Sequence, residues 1–504
     1  MRRILTATAA VQLAALGCAS AAPAASQLVI KGHGYGHGIG MSQYGALGFA
    51  QHGSSYREIL DHYYEQTQVA PLASAPDVRV LLKSGTRAVV SGVVAGGPRK
   101  LRATSTYSAG RAAGGRVALY SASGRRLGTY AAPLRLAAPS TGALTLHGSA
   151  ANGLRDGRYR GAIEVRPTSS GVLAINAVGL EDYVRGVVSA ESPSSWPAEA
   201  LKAQAVAARS YAVTTNVGTT TDGFDQYADT RSQVYKGVAA EFPATDAAVA
   251  ATRGEVVMQG GQPVTTYFFS TSGGHTENIE FSFVGSLPRT WLKGVDDPYD
   301  GVSPRHTWGP FTFSQSRAET KLKGLVRGKF RGITVLQRGS SPRVVRAEID
   351  GTNGVTQVTG PELRKRFGLY DTWATFTYIS SDAKQPATGG DPSADGPSST
   401  TPASTTVPAG TSTTAGGSTL PDAIDTTGGQ AASIARMSRP VLSGSIQPAR
   451  RGRTLRVQRH DAGGWRTVGT TIVGQSGSYR TSLPGPGDYR VALGDVVGPA
   501  VNVR

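Results

Sequence analysis

The sequence predicts an α+β chain, mostly β, with one central Ala-rich helical region and a small C-terminal β-sandwich beyond a linker. Short Val, Ile, Leu and Tyr runs between Gly-bearing turns recur along most of its 504 residues, the pattern of strands rather than long helices. The alanine-dense stretch from Leu180 to Ala212 breaks that pattern. Between about 381 and 430 the composition collapses to Thr, Ser, Pro, Gly and Ala. Such a segment buries too little apolar area to offset its ordering entropy and reads as a tether.

Taken in order, residues 1–25 read as an export leader. Arg2 and Arg3 precede a mainly apolar run from Ile4 to Leu16, and small residues with A-x-A spacing (Ala22, Ala24) follow. The run is too short to span a bilayer, and no later segment is long and apolar enough. The only cysteine, Cys18, lies inside this leader. The mature chain is therefore expected to lack disulfides, Cys-ligated zinc and Cys nucleophiles. Leu16-Gly17-Cys18 faintly resembles a lipid-acceptor site, the alternative to a freely secreted, wall-associated protein.

Residues 26–380 form the expected core: a Gly/His block (26–70) with a helix near Tyr56 to Tyr64, a strand-rich region (77–177), and a helical region followed by further strands (178–380). Within the last, a helix is expected over Glu362 to Phe367. Residues 431–504 alternate short strands with Gly/Pro turns, as a small sandwich would. From Ile434 onward this unit carries eleven arginines, three acids and no lysine, which suits binding or spacing better than catalysis.

The net charge of +18 attracts polyanions. No recognition helix, zinc finger or aromatic-and-basic RNA motif accompanies it, so anionic wall polymers are the expected partners rather than nucleic acid.

Three clusters could carry chemistry. The first runs from Ser189 through Glu191, Trp196 and Pro197 into an Ala-rich helix. Pro197 suits a first helical turn, with Ser195 or Trp196 as cap and Glu199 near the positive end. Leu201, Ala205, Ala208 and Ala212 form one stripe. Glu191, outside that helix in a partly apolar corner, should have a raised pKa, as a general acid requires. Capping, or pairing with Arg209, is the bland alternative. Lys202 and Arg209, seven residues apart, share a face that could bind substrate oxygens or carboxylates.

The second cluster is Gly32 to Ala46, where alternating glycines let the backbone approach a neighbour closely and strip cover from His33, Tyr35 and His37. A zinc pair is conceivable, but the glycines argue against the helix that its spacing needs and no third ligand is evident. Groove lining or close packing is preferred, and no metal or cofactor is expected. The third cluster, Thr265 to Asn278, ends a strand in a polar turn and suits sugar contacts through Tyr267, Ser270, Ser272 and His275. No nucleophile-elbow pattern supports a serine triad. Asp296 to Asp300 lacks the ligand spacing of a calcium loop and reads as a solvated turn.

Together, the run from Glu191 to Ala212, Tyr267 to Asn278, the D-x-x-S-P-x-H-x-W run from Asp300 to Trp308, and Gly32 to Ala46 resemble the motifs of the SpoIID/LytB family, the stage II sporulation protein D group. The resemblance covers about Gln27 to Tyr378. It implies a lytic transglycosylase acting on peptidoglycan glycan strands, with Glu191 as the single acid/base and no second carboxylate, unlike a paired-carboxylate hydrolase. The family motif usually reads E-M-P; here Ser192 replaces the methionine. It further suggests Gln43 and Tyr211 beside the residues above as substrate contacts. A non-catalytic wall-binding protein or amidase modifier on the same fold is the alternative. In the family the Gly/His block follows the last core helix, whereas here it leads the chain. A circular permutation would account for this, with Leu28 to Lys31 beside Thr375 to Tyr378 and His33 and His37 delivered to the Glu191 groove.

Overall fold

The computed structural model describes residues 25–218, 221–384 and 439–503. The expected leader with Cys18 and nearly all of the expected tether lie outside them. Among the described residues 42% are in strands and 20% in helices, which makes the chain α+β with β dominant. It divides into two compact units, Leu28–Tyr378 and a second built from the residues beyond Tyr378 and up to Gln27.

In the first unit, residues 77–177 form two antiparallel layers. One sheet runs, in spatial order, Arg126–Tyr130, Arg116–Ser121, Tyr107–Ala112, Arg87–Ser91, Leu144–Ser149, Arg155–Tyr159. The other is built around Asp77–Gly85 paired with Val172–Gly179, with Asn176 opposite Val80 and Ala177 opposite Arg79. Alternation puts Val78, Val80 and Leu82 inward, where they join Val90, Leu119, Ile163 and Val165 in one core.

The Val172–Gly179 strand leads directly into the helices. We number these α1 (Gln43–Gln51), α2 (Tyr56–Tyr63), α3 (Leu180–Glu191) and α4 (Ala198–Thr214). The stripe Leu201, Ala205, Ala208 and Ala212 of α4 meets Tyr183, Val184, Val187 and Val188 of α3. Its opposite side, Ala203, Val206 and Ala207, packs against Ala46 of α1 and Ile59, Leu60 and Tyr63 of α2. Alanine admits neighbours on both sides, so α4 is buried nearly all round. The α4 boundary differs from expectation. Trp196 N–H closes a turn on Pro193, and Pro197, which has no N–H to satisfy, is itself the cap without a side-chain bond.

Ala25–His33 lies between Thr307–Ser314 and Ala374–Lys384. His33 N–H donates to Trp373 O at 3.0 Å, and Thr375 Oγ1 to Lys31 O at 3.3 Å. This is the adjacency that a permutation needs. Leu28 and Ile30 join Trp308, Phe330, Ile349, Leu363 and Phe376 in a further core. Thr307–Ser314 is a strand that the sequence reading did not anticipate, and the last core strand, Ala374–Lys384, runs past the expected core limit at 380.

In the second unit, Gly464–Ile472, Thr454–Asp461, Gly487–Leu493 and Val496–Val497 form one sheet, with Val501–Val503 also along Gly487–Leu493. A second pair, Val441–Gln447 with Ser478–Ser482, completes the two layers. Leu442, Ile446, Leu455, Val457, Tyr479, Tyr489 and Val491 fill the space between. No helix among the described residues is long and apolar enough to cross a membrane.

Candidate active site

Glu191 is the last residue of α3 and its side chain is half-buried. Its Oε1 accepts the Val234 backbone N–H at 2.7 Å. Its Oε2 faces the Gln43 amide nitrogen at 3.5 Å. Both donors are themselves fixed. Gln233, beside Val234, accepts from Tyr183 Oη at 2.8 Å and donates to Ala208 O at 3.3 Å. Gln43 donates to Gln204 Oε1 of α4 at 3.3 Å, and that oxygen also faces Ser192 Oγ at 3.4 Å. Burial pushes the Glu191 carboxyl above the ordinary carboxylate range, and the Val234 and Gln43 donors offset part of that rise. No cation pairs with it among the described residues. The group is thus set to hold a proton more readily than an exposed glutamate.

The glycine block explains how Gln43 arrives there. Gly38 has φ +85°, and a Cβ on it would lie 2.6 Å from Arg343 Nε; Gly40 has φ +72°, and its Cβ would lie 2.2 Å from Tyr267 O. Only glycine allows both the left-handed backbone and the close approach. Ser42 then caps α1 through Gly45 N–H and donates to buried Asp300 at 3.0 Å. Asp300 also accepts from Ser272 N, Gly273 N and His306 Nδ1. One carboxylate therefore ties together the glycine block, the Ser272 turn and His306.

The other expected residues divide into groups. Tyr211 lies within the field of Glu191, and its ring meets Tyr267 edge-on at 5.9 Å. Tyr267 also meets His37 at 6.0 Å. His37 thus stands two rings from the acid, buried against Phe269 and Phe283. Desolvation and nearby Arg364 lower its pKa to about 3, so its imidazole is neutral. His33 turns elsewhere, against Trp373 at 5.1 Å and edge-on to His306 at 6.0 Å. The two histidines do not converge, and only Gln43 of the block touches Glu191. Among the described residues no group of three or more His, Cys, Asp or Glu is arranged to hold a metal ion.

Ser272 is fully buried, its Oγ accepting from Gly274 N–H. Ser270 Oγ bonds Thr271 Oγ1, and His275 approaches Asp296 at 3.6 Å. Lys202 is engaged with Glu199 at 2.6 Å. Arg209 departs most from expectation. It is fully buried, forked onto Glu181 at 2.9 Å through two nitrogens and donating to Glu255 O at 3.0 Å. A side chain closed in this way ties α4 to α3 and faces no groove. Sequence reasoning missed Val234, a backbone donor in a loop that leaves no side-chain signal. It also missed Tyr44, whose ring meets Trp196 at 5.1 Å beside the α3–α4 turn.

The family model for stage II sporulation protein, SpoIID, matches residues 168–259, the segment that holds α3, Glu191, α4 and Val234. Stage II sporulation protein D of Bacillus subtilis (strain 168) is 30% identical over 211 residues, covering 39% of this chain and 60% of that protein. An uncharacterised protein of Brachyspira hyodysenteriae is 37% identical over 152 residues, 30% of this chain and 40% of its own. The amidase enhancer of Bacillus subtilis is 35% identical over 144 residues, 29% of this chain and 19% of that protein. The chain spans about 60% of the length of the sporulation protein D relatives it matches. Through the segment around Glu191, this chain is similar to the SpoIID family of stage II sporulation proteins.

Proposed function

We propose that the protein is a cell-wall enzyme, a lytic transglycosylase that cleaves peptidoglycan glycan strands with Glu191 as sole acid and base. The observation that carries the reading is a half-buried carboxyl with a raised pKa, held by two donors. Among the described residues no second carboxylate bonds to it. Protonated Glu191 would give its proton to the glycosidic oxygen as the C1–O bond breaks. The resulting carboxylate would take the proton of the muramyl 6-hydroxyl as that oxygen bonds to C1, closing a 1,6-anhydro ring. The proton returns to Glu191 and no water is consumed. Half-buried Tyr267, one ring from Tyr211, would offer a ring for a sugar, and the basic C-terminal unit would hold the protein on anionic wall polymers. Export to the wall, with the leader removed, completes the reading.

Digestion of purified, peptide-stripped glycan by wild type and Glu191→Gln tests it. Wild type should release anhydromuramyl ends and the variant should not. Equal release by both would remove Glu191 from the mechanism. Absence of release by either, with glycan binding retained, would favour a wall-binding or amidase-modifying protein, the role that the name of one relative suggests.

A further inference from the structure

A second cleft opens beyond His37. It has a volume of about 600 Å³, within the range of small-molecule sites. Tyr35, on the outer side of the glycine block, is 43% exposed and meets Tyr370 edge-on at 5.4 Å. Opposite them, Arg364 and Lys365 stand on the last turn of the helix Gly360–Phe367. His37 and Phe283 are among the other lining residues, and no carboxylate of the described residues lines the cleft.

The charge in this cleft is uncompensated. Among the described residues neither Arg364 nor Lys365 pairs with a carboxylate, whereas their neighbour Arg366 is closed onto Glu362 at 2.6 Å. Arg305, which does not line the cleft, lies 4.2 Å over the Tyr370 ring. Cations in the last turn also stabilise the helix C-terminus. That role does not require two flanking aromatic rings, one of them exposed. Tyrosine faces suit the apolar face of a pyranose, and the paired cations suit a carboxylate. The neutral imidazole of His37 adds no charge to the floor. From the cleft, ring contacts run toward the acid: Phe283 meets Tyr267 at 5.3 Å, and Tyr267 meets Tyr211.

We propose that this cleft is a second saccharide subsite selective for a carboxylate-bearing sugar, with the ring against Tyr35 and Tyr370 and the acid on Arg364 and Lys365. A glycan passing half-buried Tyr267 and exposed Phe283 would present a muramyl unit, whose lactyl group carries such a carboxylate, some units away from the bond at Glu191. The choice of sugar rests on the glycan reading above; the anion selectivity rests on the cleft itself.

The test is calorimetric binding to the full chain carrying Glu191→Gln, so that no turnover intervenes. Two probes are compared: a peptide-free N-acetylglucosamine–N-acetylmuramic acid tetrasaccharide, and neutral chitotetraose. The muramyl probe should bind about tenfold tighter, as expected for a charge-assisted hydrogen bond. Lys365→Gln and Arg364→Gln should each remove most of that preference, and Tyr35→Ala should weaken both probes. Lys365 is exposed, so its variant tests the idea even if Arg364→Gln disturbs the helix end. Equal affinity for the two probes, or an unchanged preference in Lys365→Gln, would overturn the subsite. Failure of the catalytic reading would appear separately, as absent anhydro product from wild type.

Discussion

Replacement of Arg209 by methionine removes a guanidinium that no solvent reaches. Its Nε and Nη2 each donate to Glu181 at 2.9 Å, and Nη1 to Glu255 O at 3.0 Å. Glu181 would keep the Gly254 N–H at 3.2 Å but no cation, and Glu255 O would lose this donor. Breaking a buried pair by removing one partner costs about 3–5 kcal/mol. In a unit of this size that lowers Tm by about 4–7 °C. The double variant Arg209→Met/Glu181→Leu should recover much of the loss, because an apolar pair of similar volume is often nearly neutral. Scanning calorimetry and glycan binding, measured on the same samples well below Tm, check the reasoning. Normal melting of Arg209→Met together with weakened glycan affinity would show that Arg209 meets substrate rather than tying helices together.

Further outcomes are expected. Because the folded Glu191 pKa is raised, kcat/KM should fall on the alkaline side through a pKa above the ordinary glutamate value, as the proton-bearing form is lost. The same shift costs stability as pH rises from the unfolded to the folded pKa, so Glu191→Gln should melt above wild type at neutral pH and with it in acid. Asp297, fully buried beside Asp300, is pushed up to about 7 by desolvation and that neighbour. Stability should therefore decline from about pH 4 to pH 7, and Asp297→Asn, followed by denaturant titration at several pH values, should flatten the decline. Gly40→Ala should destabilise by at least ~1 kcal/mol, since its φ is +72° and its Cβ would meet Tyr267 O at 2.2 Å. It should also reduce glycan cleavage by shifting Gln43; a variant with normal melting and turnover would contradict this account of the block.

The central helices were legible because alanine spacing marked the stripe from Leu201 to Ala212, and the same helix shows where sequence reading ends. An arginine and a lysine seven residues apart do share a helix face, but a helix built of alanine is enclosed on both sides. Whether Arg209 met solvent depended on Glu181, a residue that pattern alone does not pair with it. Glu191 was visible in its motif. Its donors were not equally so: Gln43 comes from 148 positions away, reachable only through the displaced glycine block, and the Val234 N–H belongs to a loop. The strand Thr307–Ser314 was obscured by Gly309-Pro310, which a strand tolerates because it pairs on one side only, with Ala25–His33.

The pairing of Ala25–His33 with the last strand of the unit also has a consequence for how the chain assembles. Lys31 waits for Thr375, 344 residues later, and contacts of such long range close slowly. A nascent or truncated chain ending before Ala374 holds an apolar strand, Leu28 to Ile30, with one edge open, the kind of edge that recruits foreign strands. Fragments of that kind would be prone to aggregate until the final strand is made and closes the open edge.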